Sequence, residues 1–339
     1  MWLRTVWYVL YVVIIGGYVI LDGFDLGVGM LSPFVARSDR DKRVLLNAIG
    51  PVWDGNEVWL VLGGGALFAA FPLVYASLFS GFYVAMVLVL LVLILRTVAI
   101  EFRSKRSGER WRTLWDAIFT GSSYGITILL GVALGNVIRG VDLGPGGVMH
   151  VSLIELLNPF SLMVAVVAVA MLCLHGGIFL TLKTDGDLLE RIERVVPRLM
   201  VAFFVLMTVL AIWVIVRDER FATNYRDRPW TAVFPVLALG ASLVAWRLIR
   251  RSSYLAAFAA SATTIALLLA AVAAGLYPVL LPSSTDPSFS LTIDNASSAN
   301  ETLTVMFVMA LIGMPFVLLY TAGVYYFFRG RVELDDSSY

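Results

Sequence analysis

The feature that most constrains this chain is a series of apolar runs, each near the roughly 20 residues that an α-helix needs to cross hydrocarbon. They lie at about 6–21, 53–71, 76–98, 115–138, 159–182, 196–216, 231–249, 254–276 and 303–328. The connections between them are short, which leaves no stretch for a soluble module. A backbone in lipid must satisfy its own hydrogen bonds, and segments of this length do so as helices. An all-α polytopic membrane protein follows, a single transmembrane domain over 1–339. Composition agrees, since 60% of the 339 residues are hydrophobic and 14% charged, whereas soluble domains carry roughly 25% charged residues.

The run 53–71 is the weakest, because it opens with acids and contains Gly63-Gly64-Gly65. The distribution of cations argues for counting it, since Lys and Arg gather on the cytoplasmic side of membrane proteins. With nine helices and the N-terminus outside, nineteen of the 25 Lys and Arg fall inside: Arg37 to Arg43, the Arg96 to Arg112 cluster, Lys183 to Arg198, Arg247 to Arg251, and Arg329 with Arg331. Four of the other six share one connection (Arg217, Arg220, Arg226, Arg228), diluted by Asp218, Glu219 and Asp227. Removing the 53–71 helix would put the basic segments 37–43 and 96–112 on opposite faces. Nine spans place the C-terminus in the cytoplasm. The first run lacks a small-residue cleavage site, so it reads as a retained helix. The connection at about 277–302 has no Lys or Arg and reads as a translocated cap.

Other classes fall away. A net charge of +1 gives no field for nucleic acid. One cysteine, Cys173, excludes an intrachain disulfide and any multi-cysteine metal site built by this chain. Two histidines, His150 in a loop and His175 in an apolar run, are poor material for haem ligation. His175 reads better as a neutral ring bonded to a neighbouring helix. Trp2, Trp7, Trp111, Trp115 and Trp230 fall near span ends, where interface anchors belong, and Asp116 reads as a helix N-cap.

The informative residues are Asp22 and Asp25 late in the first helix, with Asp54 and Glu57 early in the second. Both pairs have i,i+3 spacing, which puts each pair on one helical face, and the assumed orientation puts all four at one depth. A carboxylate in hydrocarbon costs about 2.5–3.5 kcal/mol even on lenient scales, so it must face protein or water and points to a proton or ion relay. The alternative is structural: Asp54 caps its helix, and cations from neighbouring loops neutralise Asp22 and Asp25.

Several motifs resemble subunit II of cytochrome bd-type quinol oxidases. They are Asp22-Gly-Phe-Asp25-Leu-Gly-Val-Gly-Met30, Gly50-Pro-Val-Trp-Asp54-Gly-Asn-Glu57-Val-Trp-Leu60, Gly64-Gly-Ala-Leu-Phe-Ala-Ala70 and Phe79-Ser-Gly-Phe-Tyr-Val-Ala-Met86. Glu101-Phe-Arg-Ser-Lys105, Leu157-Asn-Pro-Phe160, Leu281-Pro-Ser-Ser-Thr285 and Leu318-Leu-Tyr-Thr321 extend the resemblance, in order, over nearly the whole chain. It implies two four-helix bundles (about 1–140 and about 150–276) plus a peripheral helix (about 303–328), in the bacterial cytoplasmic (inner) membrane. It further implies a haem-free partner of subunit I in a heterodimer. Subunit I would carry haem b, a second haem b and haem d, oxidise quinol or menaquinol and reduce dioxygen to water. Small single-helix accessory subunits and a structural quinone or lipid against this chain fit the same picture. Asp25 and Asp54, with Glu57 and Asp22, would then take up cytoplasmic protons. The rival from another class is a proton-coupled secondary transporter, which also places carboxylates at mid-depth.

Overall fold

The computed structural model describes residues 2–217 and 219–334, without the side chains of 217 and 219–222. The expected diluted basic connection therefore lies partly outside the described residues, at Arg217, Asp218, Glu219 and Arg220. The chain is built of helices α1 (Trp2–Val35), α2 (Asp39–Ile49), α3 (Trp53–Ala70), α4 (Pro72–Gly81), α5 (Tyr83–Phe102), α6 (Glu109–Arg139), the single turn α7 (Leu153–Leu156), α8 (Pro159–Lys183), α9 (Gly186–Arg217), α10 (Glu219–Asp227), α11 (Val233–Ile249), α12 (Tyr254–Leu276) and α13 (Asn300–Phe327). Among the described residues eight are long and apolar enough to cross a membrane: α1, α5, α6, α8, α9, α11, α12 and α13. The chain is a multi-pass membrane protein. The expected 53–71 run is helical, as the 18-residue α3, but it is not one of these eight, because its first turns carry Asp54, Asn56 and Glu57 and dilute its hydropathy.

Two expected boundaries move. The first run does not stop at Leu21; α1 continues to Val35, and every residue from Asp22 to Ser32 is buried. The acids lie within this helix, as expected, with α1 running on beyond them to Val35. This is sterically possible because Gly27 and Gly176 bring α1 and α8 into backbone contact. A methyl group added at Gly27 would meet the Leu172 carbonyl, and one at Gly176 the Gly27 backbone. Small residues at such crossings let membrane helices pack closely where no hydrophobic effect drives them together. Gly131 against Ala165 and Gly135 against Ser161 bring α6 onto the same helix, so α8 is the most enclosed of the spanning helices.

The second shift is at 76–98, which is not one run. Pro72 disfavours helical geometry at the residue before it, and Phe71 takes φ −135°, ψ 64°. A second bend at Phe82 separates α4 from α5. Pro72 suits the first turn of α4, where its missing N–H costs nothing.

The amphipathic helix α2 lies outside the expected spans. Its start is fixed by a capping box in which Asp41 N donates to Ser38 Oγ at 3.1 Å and Ser38 N to Asp41 Oδ2 at 3.1 Å. At the other end of the molecule the cap is tied down by a two-strand ladder, β1 (Val279–Leu281) with β2 (Leu291–Thr292). Val141 N donates to Pro282 O at 3.0 Å, and Ser298 N to Ala70 O at 2.9 Å. Trp7 is not an interface anchor: it is buried and donates to the Leu303 carbonyl at 3.0 Å, fastening the otherwise exposed α13.

Candidate functional site

The i,i+3 spacing of Asp22 and Asp25 holds in the structure, and both carboxyls are fully buried. Facing them from α5 is Arg96, also fully buried, with Nη1 at 2.7 Å from Asp22 Oδ1. Neither Asp22 oxygen nor any Arg96 nitrogen makes an aligned hydrogen bond among the described residues, so charge rather than directional bonding holds this pair. From α3, Glu57 Oε2 approaches Arg96 Nη1 to 3.9 Å, with its side chain 19% exposed. Asn56, one residue earlier, donates from Nδ2 to Asp25 Oδ2 at 2.8 Å and to the Leu21 carbonyl at 3.3 Å. Its Oδ1 accepts from Tyr325 of α13 at 2.9 Å. The buried Tyr18 hydroxyl completes the cluster.

Of the four expected acids, Asp22, Asp25 and Glu57 come together around one guanidinium. Asp54 does not join them: it stands on the exposed side of α3, one turn before Glu57. It is not a cap either, since the N-cap position of α3 is Val52. Arg96 was expected in the cytoplasmic basic cluster and is instead the counter-ion of the buried acids. A signal was present in the sequence, for Arg96 is followed by Thr-Val-Ala-Ile before the next charge.

A second ionic cluster gathers where α2, α5 and α6 meet. Arg103, 2% exposed, places Nε 2.5 Å from Asp116 Oδ1 and Nη2 2.8 Å from Asp39 Oδ1. Lys42 reaches Asp116 at 2.9 Å, Arg112 reaches Asp39 at 2.9 Å, and Arg191 of α9 reaches Asp41 at 2.7 Å. Asp116 is thus a bridging acid two turns into α6, and Gly108 occupies the N-cap position expected for it. Burial opposes ionisation of Asp39, but the hydrogen bond from Arg103 and the charges of Arg103, Arg112 and Arg43 hold its carboxyl below the ordinary value.

His150 is exposed in its loop. His175 is buried with both ring nitrogens engaged, Nε2 at 3.0 Å from the Ile20 carbonyl and Nδ1 at 2.7 Å from Ser261 Oγ. Its ring is stacked on Phe258 at 4.8 Å. A haem iron needs a free ring nitrogen and room for a macrocycle. The cavity beside His175 holds about 10 Å³, space for one water. These residues do not fit a haem. Among the described residues no three His, Cys, Asp or Glu are placed to hold a metal ion. A separate apolar cavity of about 610 Å³ opens between α1, α3, α5, α6 and α12, lined by Tyr8, Tyr11, Leu67, Phe82, Leu130 and Leu269.

Fold and site define a multi-pass helical membrane protein that keeps paired ionisable groups among its long apolar helices. Residues 3–328 match the family described as cytochrome bd terminal oxidase subunit II. The chain belongs to that family. It is 36% identical to cytochrome bd-I ubiquinol oxidase subunit 2 of Escherichia coli strain K12, over 98% of this chain and 96% of that protein. It is also 36% identical to cytochrome bd ubiquinol oxidase subunit 2 of Bacillus subtilis strain 168, over 98% and 97%. The fold matches a chain of the bd oxidase from Geobacillus thermodenitrificans with a TM-score of 0.81 at 20% identity, covering 97% of this chain and 99% of that one.

Proposed function

We propose that this chain is the haem-free subunit of a bacterial quinol oxidase and that it carries protons from the cytoplasm toward a redox centre held by subunit I. The haems b, b and d and the oxidation of quinol or menaquinol belong to that partner. On this reading nine helices span the inner membrane, with α3 counted among them, the N-terminus outside and the C-terminus inside. They form two four-helix bundles with α13 at the periphery. Small accessory subunits would sit at the edge of the heterodimer. The apolar cavity beside Tyr8 and Tyr11 has the size of ordinary ligand pockets and suits the tail of a structural quinone or lipid.

The observation that carries the reading is the set of three carboxylates around one buried guanidinium, set within the long helices and reaching the chain's exterior past Glu57 and Asp54. A single fixed positive charge balances one of these acids, so the cluster has places where a proton can be held and released. Such intramembrane groups mark proton routes. Dioxygen takes up electrons and protons to become water, while quinol gives up both. If the consumed protons come from inside and the quinol protons leave outside, charge is separated, each elementary charge being worth about 2.3 kcal/mol per 100 mV. Family membership sets the transporter alternative aside.

The test is oxygen uptake on quinol by the assembled complex, measured per haem, with Asp25→Asn and Asp54→Asn. The proposal expects assembly to persist and turnover to fall in both variants. Near-normal turnover in both would leave the acids a structural role only.

A further inference from the structure

The last helix contributes little to the packing of the chain. The spanning part of α13 is 6% buried, and most of its large side chains, among them Phe316, Leu319 and Tyr320, face outward. Tyr325 is one of the exceptions. It turns inward, its ring edge-on to Phe24 at 6.3 Å between centroids, and its hydroxyl donates to Asn56 Oδ1 at 2.9 Å. Asn56 is 2% exposed and stands between this phenol and Asp25.

The direction of the Asn56 amide is chemically determined. Its Nδ2 lies against two groups that only accept, the Asp25 carboxylate and the Leu21 carbonyl. Turned over, the amide would set Oδ1 against both and Nδ2 against the phenol. Those two acceptors select the observed direction, and the Tyr325 O–H, donating to the carbonyl end, adds the hydrogen bond that holds the amide in it. With Nδ2 toward it, Asp25 is offered a donor and can release its proton. With Oδ1 toward it, a protonated Asp25 would be held by its own O–H bond to the amide and would release the proton less readily.

We propose that Tyr325 is a positioning residue for proton delivery: its hydroxyl orients the Asn56 amide so that Asp25 Oδ2 always faces a donor. The inference rests on the proton route proposed above and goes beyond it by giving α13 a task in that route. Tyr325 itself does not carry the proton.

The test uses the assembled oxidase complex with Tyr325→Phe, which keeps the ring and removes only the hydroxyl. Turnover per haem is expected to fall about two- to tenfold, the factor that one net hydrogen bond is worth, with the KM for quinol unchanged. The carboxyl C=O band that Asp25→Asn removes from infrared redox difference spectra is expected to move. A tyrosine that only packs would leave both the turnover and the band as in the parent, and that result overturns the inference. Should Tyr325→Phe fail to assemble, fluorotyrosine placed at 325 keeps shape and hydroxyl while strengthening the donor. The band must then move with assembly intact, and an unmoved band again overturns the inference. Normal turnover in Asp25→Asn would remove the route itself, and the role of Tyr325 with it. Impaired Asp25→Asn beside a parent-like Tyr325→Phe removes the role of Tyr325 alone.

Discussion

Arg96 Nη1 lies 2.7 Å from Asp22 Oδ1, and neither side chain is exposed. Both charges were taken out of water, so each is tolerated only because of the other. Truncating one member of such a pair typically costs about 3–5 kcal/mol, whereas replacing both by neutral groups is often nearly neutral. Arg96→Met is therefore expected to lower the thermal stability of the complex sharply, and Arg96→Met with Asp22→Asn to recover most of the loss. Thermal unfolding in detergent, arranged as a double-mutant cycle, measures this. Losses that simply add would mean that the two charges are not each other's partners.

The ionic cluster around Arg103 gives a pH dependence with a defined sign. Asp39 titrates below its ordinary value because Arg103 and its neighbours more than offset burial. A carboxylate depressed in the folded state adds stability that is fully present above its unfolded value, about 3.9. That stability is lost as pH falls through the lowered folded value. Comparing the parent with Asp39→Asn, the gap in melting temperature should stay constant from about pH 8 to about pH 5 and close in stronger acid, where both carry a neutral group. Asp39 is 44% exposed, so the gap should correspond to about 0.2–1 kcal/mol. A gap that widens in acid would contradict the assigned partners.

His175 gives a direct check on where the haems reside. Both of its nitrogens are occupied by Ile20 and Ser261. His175→Phe keeps the stacking on Phe258 and removes the two polar contacts. The absorption spectrum per assembled complex is expected to be unchanged, with stability lower by about 1–3 kcal/mol from the polar groups left without a partner. Loss of a haem band in this variant would assign the ring to iron.

Much of this architecture is legible in the sequence because hydrocarbon fixes helix length and the i,i+3 rule fixes which acids share a face. Asp22 and Asp25 were put on one face that way, and His175 reads as a bonded core ring because it stands alone in an apolar run. What failed has one physical source: tertiary partners are invisible to flank statistics. The α1 helix runs on past Asp22 because Arg96 neutralises that acid, and Arg96 comes from a segment that charge counting assigns to a basic loop. Asp116 looked like a cap because it stands at the head of an apolar run, yet Lys42 and Arg103 hold it well inside α6. The break between α3 and α4 was within reach of the sequence, since Phe71-Pro72 carries the signal for it. Tyr325 was not, because nothing along α13 marks one tyrosine among several as facing inward.

Glu57 separates a relay from a structural cluster most cleanly. Its carboxylate is 3.9 Å from Arg96 and 19% exposed, at the rim where the buried acids meet the outside of the chain. At 3.9 Å the pair is long, and Arg96 keeps the closer Asp22 as its partner at 2.7 Å, so Glu57→Gln, which keeps the shape of the side chain, should assemble and melt much like the parent. If protons pass the rim on their way to Asp25, the same variant loses the group that takes them up, and turnover should fall at least about tenfold, equivalent to about 1.4 kcal/mol in the barrier. The KM for quinol should not change, because quinol does not bind there on this reading. One substitution thus separates the two readings: a relay predicts lower turnover at parent-like stability, and a structural role predicts no fall in turnover beyond what lost stability or assembly accounts for. Parent-like oxygen uptake by an intact Glu57→Gln complex would make this carboxylate a bystander and require protons to reach Asp25 from another side.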